Sequence, residues 1–189
     1  MGNPYGYQLL VDDAELDATV FVETVRRAQE RLDVDPRGAS ESLRAALHMW
    51  RGPAFGGDAG GALSRAAAVR YEEYRIRAME LFFDSELALG NHTRVLGELR
   101  EAHAENPLRE RFCEQLMIAL YRSGRQAEAL ETYRHMWSRL TEDLGIEPSP
   151  CCAGPSARSW STPRSWTSPA WPRPTTAYPR GRADADVRR

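Results

Sequence analysis

The sequence predicts an all-α fold, an array of helical hairpins followed by a disordered tail, and three observations carry that prediction. Breaks recur with a period of 34 residues: Gly90 and Gly124 stand one period apart, as do Leu87 and Tyr121, Leu96 and Leu130, and Leu99 and Tyr133. Between the breaks, apolar residues repeat at the spacing of one helix face. A small residue, a large one four positions later and a small one three after that occur as Ala39, Leu43 and Ala46 and as Val95, Leu99 and Ala102. Ala129, Tyr133 and Met136 repeat the spacing with a bulkier last member. Thirty-four residues is the tetratricopeptide period, in which each hairpin buries its apolar face only by stacking on its neighbours.

Taken in order, residues 5–11 alternate imperfectly and read as a short strand. From Asp17, a plausible N-cap, the period turns helical, with Phe21, Val25, Ala28 and Leu32 on one face. Asp35-Pro36 opens a second helix, a cap followed by a proline whose missing N–H costs nothing in the first turn, and Arg51-Gly52-Pro53 ends it. Residues 52–62 hold five of the chain's fourteen glycines and form a loop. Its Gly56-Gly57-Asp58-Ala59-Gly60-Gly61 run lacks the Lys-Ser/Thr of a phosphate-binding loop and follows no strand. Helices are then expected over 63–89, 92–105, 108–122 and 125–144, separated by Gly90-Asn91, Asn106-Pro107 and Ser123-Gly124. That makes three hairpins, with the Gly-rich loop inserted between the first and second.

Composition removes whole classes of chemistry. All 25 basic residues are Arg, so a Walker lysine, a Schiff-base lysine and a kinase-type lysine are excluded, and the bias matches high-GC coding. The net charge of −2 hides two unlike pieces: residues 1–150 carry 18 Arg against 25 Asp and Glu, and residues 151–189 carry 7 Arg against 2 Asp. An acidic body argues against a duplex-DNA footprint of its own. His48, His92, His103 and His135 never reach metal-ligand spacing, and Cys113 lies within an apolar helical pattern while Cys151 and Cys152 are adjacent. Asp12, Asp13 and Glu15, like Glu72 and Glu73, are explained by turns and solvated helix faces. No catalytic residue, metal or cofactor is expected, and no apolar run is long enough for a membrane span, so the cytoplasm is the default location.

Five segments resemble one known family. They are Trp50-Arg51-Gly52-Pro53, Leu89-Gly90, Pro107-Leu108-Arg109-Glu110-Arg111, the run from Leu120-Tyr121-Arg122-Ser123-Gly124 through Arg125-Gln126-Ala127-Glu128-Ala129-Leu130, and Gly145-Ile146-Glu147-Pro148-Ser149-Pro150. Together they resemble the bacterial transcriptional activation domain of the Streptomyces antibiotic regulatory protein type, over about residues 5–150. The resemblance implies a tetratricopeptide-like domain that follows a winged-helix DNA-binding domain, the pair activating transcription of secondary-metabolite genes. Residues 5–11 look like the last strand of that winged helix, so residues 1–11 read as a remnant and 12–150 as the domain. DNA contact belongs to the missing winged helix and is carried over to no residue here.

Residues 151–189 depart from the family, with six Pro, seven Arg, five Ser and three Trp but no Leu, Ile, Met or Phe. Such a segment packs no core. Trp160, Trp166 and Trp171 between arginines resemble a single-strand stacking surface only weakly. The codons carry another signal. Joining the third base of each codon from Cys151 to the first two of the next gives Leu-Arg, the family's expected continuation, and then apolar residues at helical spacing if the serines use TCN codons. A single-base slip near codon 150 would account for the tail.

Tetratricopeptide resemblance places Arg77, Glu80, Asp84 and Leu87, with Arg111, Glu114, Ile118 and Tyr121, on the concave face formed by the first helix of each hairpin. Mixed charge with one aromatic suits a protein partner or a second copy of the domain. The leading expectation is a regulatory and oligomerisation module of a transcriptional activator, whose partner is the transcription machinery by family resemblance. The alternatives are a free-standing adaptor for protein partners and the inactive product of a truncated, frameshifted gene.

Overall fold

A computed structural model describes residues 16–57 and 60–146. Residues 5–11, the acidic trio at 12, 13 and 15, and the tail from Cys151 lie outside the described residues. Among the described residues six helices follow one another: α1 (Asp17–Arg31), α2 (Pro36–His48), α3 (Ala62–Ala88), α4 (His92–Glu105), α5 (Glu110–Arg122) and α6 (Gln126–Ser138). A 3-10 turn, Ala54–Gly57, precedes α3, and a π-type turn, Arg139–Asp143, continues α6.

The helix starts follow local chemistry. The Asp35 side chain accepts the Gly38 N–H at 2.9 Å, with Pro36 as the first helical residue, as the sequence predicts. Asp17 does not cap α1: Leu16 holds the cap position, and Asp17 is the first helical residue, its carboxylate accepting from Ala18 N at 2.8 Å. There its charge meets the positive end of the helix dipole. Helix α5 begins at Glu110 rather than 108, because Arg109 is extended (φ −81°, ψ 97°). The last helix gives up its α geometry after Ser138 and widens, with Ile146 N reaching Leu140 O at 2.9 Å and Leu140 buried.

The 34-residue repeat is visible in hydrogen bonds. After α3, Gly90 N donates to Leu87 O at 3.2 Å and Asn91 N to Glu86 O at 2.9 Å; after α5, Gly124 N donates to Tyr121 O at 3.0 Å and Arg125 N to Leu120 O at 2.9 Å. Both glycines are left-handed, at φ 80° and 75°, where a side chain strains the backbone.

All nine residues of the three small-large-small patterns are buried. The first helix of each hairpin packs on both helices of the hairpin before it, α3 on α1 and α2, and α5 on α3 and α4. That is the stacking rule of a tetratricopeptide array, and it buries one continuous core. Helix α3 departs from the pattern by its length. Its 27 residues span about 40 Å, roughly twice the length of α4. Residues 81–87 are all buried, whereas none from 62 to 77 is.

Candidate interaction surface

Helices α3 and α5 bring most of the eight expected surface residues together, and they do so through one polar network. The Arg111 guanidinium donates to both carboxylate oxygens of Asp84 at 2.7 Å and to Glu114 Oε2 at 2.7 Å. Gln115 Nε2 donates to Asp84 Oδ1 at 2.5 Å and to the Glu80 carbonyl at 2.7 Å. Arg77 Nη1 reaches Glu80 Oε2 at 3.2 Å. The buried carboxylate accepts three hydrogen bonds from two nitrogens, Arg111 Nη2 and Gln115 Nε2, so the network fixes how the second and third hairpins meet.

The eight residues differ in how much of them reaches solvent. Glu80, Asp84 and Leu87 are buried, Arg77 is exposed, and Arg111, Glu114, Ile118 and Tyr121 are half-buried. Leu87 packs in the core, and its carbonyl accepts from Arg122 Nη1 at 2.7 Å. Solvent reaches this face at Arg77 and at the half-buried side chains of α5.

Burial governs the electrostatics. It raises the Asp84 carboxyl above the usual carboxylate range, against the opposing pull of Arg111 and Gln115. It raises Glu114 as well, with Arg111 opposing and Asp84 adding to the shift. For Arg111, burial works against the charge, but Asp84 and Glu114 outweigh it and hold the guanidinium above its ordinary value. Cys113 is buried and pushed up to about 12, first by burial and then by Glu110 and Glu114, which leaves an inert thiol.

Several contacts of this region have no simple signature in sequence. Gln115 sits one turn beyond Arg111 and is 1% exposed, but a glutamine at that spacing reads equally as a surface residue. Glu86 is buried where Ser40 of α2 and Asn91 both donate to it, the latter at 3.1 Å, joining the first hairpin to the second. At the opposite end of the first hairpin, Trp50 meets Phe21 edge-on at 5.6 Å and lies under Arg75 at 5.7 Å. Phe21 and Trp50 border a cleft of about 590 Å³ shared with Phe55 and Tyr71. Among the described residues no group of His, Cys, Asp and Glu is placed to hold a metal ion, and no helix is long and apolar enough to cross a membrane.

Comparison with known proteins gives the context. Residues 16–153 match the family model of the bacterial transcriptional activator domain. The transcriptional regulator RedD of Streptomyces coelicolor is 40% identical over 143 residues, covering 76% of this chain and 41% of that protein. The regulatory protein DnrI of Streptomyces peucetius is 38% identical over 147 residues, covering 76% of this chain and 53% of that protein. The solved structure of Mycobacterium tuberculosis EmbR in complex with a low-affinity phosphopeptide superposes with a TM-score of 0.73 at 32% identity, covering 80% of this chain and 40% of that one. The chain therefore spans about half, or less, of the length of these relatives.

Proposed function

The chain belongs to the bacterial transcriptional activator domain family, and from that premise we propose that it is the interaction module of a transcriptional activator of antibiotic-biosynthesis genes. The observation that carries this reading is the stacked hairpin array with its α3–α5 face, which presents Arg77, Glu114, Ile118 and Tyr121 around an internally neutralised core of Asp84 and Arg111. Helical arrays of this kind work by presenting a preformed surface to a protein. RedD and DnrI, named as regulators, support the transcriptional setting. DNA contact falls to a winged-helix domain elsewhere in the regulator, the protein partner is the transcription machinery, and the setting is the cytoplasm.

The test tethers the 189-residue chain to an unrelated DNA-binding domain upstream of a reporter promoter. Activation is expected, and Arg77→Ala with Tyr121→Ala is expected to lower it several-fold while helicity by circular dichroism is unchanged. A tethered chain that folds and never activates would favour the adaptor reading.

A further inference from the structure

The cleft of about 590 Å³ beside Trp50 is walled by aromatic side chains from four separate stretches of chain. Phe21 comes from α1, Trp50 from just after α2, Phe55 from the 3-10 turn and Tyr71 from α3. They stand as two edge-to-face pairs, Phe21 with Trp50 at 5.6 Å and Phe55 with Tyr71 at 6.1 Å. Phe55 is held there against its own backbone preference. Its φ is 56°, a left-handed conformation that strains a large side chain, and the residue is still 54% exposed. Burial does not account for that strain; what the turn achieves is to bring a second aromatic pair to the cleft.

We propose that the cleft binds a small planar aromatic carboxylate, its rings among the four aromatic side chains and its carboxylate on Arg51. The volume lies within the range of small-molecule sites, about 300–1,000 Å³. Ring walls favour an aromatic occupant over an aliphatic one, through offset and edge-to-face contacts. The charge of the occupant follows from the arginines. Arg70 lies over Tyr71 at 5.3 Å, and Arg75 lies over Trp50 and pairs with Glu72 at 2.7 Å. Arg51 borders the cleft exposed, and no acid pairs with it among the described residues. Asp17, the acid that borders the same cleft, is engaged at its own helix start, where it accepts from Ala18 N at 2.8 Å and sits at the positive end of α1. That leaves one guanidinium for a carboxylate, which its planar fork of donors fits.

A ligand in this place touches the first hairpin, the turn and α3 at once, so binding ties the first hairpin to the long helix of the second. None of these residues belongs to the α3–α5 face, and the site is independent of what binds there.

The test titrates the 189-residue chain with two fluorescent dyes that share one ring system, the anion anilinonaphthalene sulfonate and the neutral phenyl naphthylamine. The anion is expected to bind one per chain with a Kd below about 1 mM, and about tenfold or more tighter than the neutral dye, as one charge-assisted contact allows. Arg51→Ala brings the anion down to the affinity of the neutral dye and leaves the neutral dye unchanged. Phe55→Ala weakens both several-fold. Circular dichroism of both variants is expected to match the parent, because both side chains are exposed. Val69→Ser, which removes an exposed apolar side chain outside the cleft, changes neither affinity. Anion binding that survives Arg51→Ala or Phe55→Ala unchanged, equal affinity for the two dyes, or no binding of either overturns the proposal. So does one dye per two chains with a dimer in sedimentation, which would make the cleft a joint between copies.

Discussion

Asp84 and Arg111 stand 27 residues apart in sequence and share two hydrogen bonds of 2.7 Å, which pin α3 to α5 with the carboxylate almost fully withdrawn from water. Removing the cation alone strands that carboxylate. Arg111→Ala is therefore expected to cost about 3 kcal/mol by urea unfolding, the low end of the range for breaking a buried pair. In the Asp84→Asn background the same change costs much less, because Asn leaves no charge to strand. Equal costs in the two backgrounds would mean that the pair contributes packing only. This is also why Arg111 is a poor probe of partner binding, and why Arg77 and Tyr121 are the better substitutions.

Gly90 and Gly124 are equivalent stops one repeat apart, and nothing stands within 4 Å of a Cβ built on either. Any cost of alanine there comes from the left-handed backbone alone. Gly90→Ala and Gly124→Ala should each lower stability by about 1 kcal/mol. They should add when combined, since distant sites are independent. A neutral Gly124→Ala would show that the turn re-forms with φ below zero.

What the sequence makes legible is whatever repeats. Ala39, Leu43, Ala46 and their counterparts one and two hairpins on are all buried, because the same contact between stacked hairpins is made each time. The caps at Asp35, Gly90 and Gly124 are equally readable, since each satisfies a local hydrogen-bond or backbone requirement. The Arg111–Asp84 and Gln115–Glu80 contacts are not readable in this way. They join residues a hairpin apart, and only packing decides that Glu80 and Asp84 turn inward while Arg77 stays outside. The same limit explains Asp17: an acid near a helix start is favourable as a cap and as a first-turn residue, and the local sequence does not separate the two.

The family match reaches only residue 153 of 189, which keeps a shifted frame after codon 150 as the proposal for the tail. The coding DNA is expected to carry TCN serine codons at Ser156 and Ser159, and the frame that starts at the third base of each codon is expected to continue as an amphipathic helix beginning Leu-Arg. AGY codons at either serine, or a stop within the first turns of that frame, would remove the proposal.

His103, in the last turn of α4, has a buried Nδ1 without a hydrogen-bond partner, and its pKa is lowered from the ordinary value near 6.5 by burial and then by the Arg139 charge. The unfolded chain therefore binds a proton more readily than the folded one between the folded pKa and about 6.5. Stability rises with pH across that window: it is fully present above about 6.5 and is lost as pH falls through the folded value. Three carboxylates add their own pH dependence. Glu23, held down to about 2 by hydrogen bonds from Arg26 and Arg27, loses its contribution only in stronger acid. Asp84 and Glu114, raised by burial, make stability fall as pH rises from their unfolded values near 4 through their folded ones, the opposite slope. Urea midpoints measured from about pH 7.5 down to about 5.5 should thus fall in the parent chain and flatten in His103→Gln. An unchanged slope in the variant would place the acid sensitivity on another group.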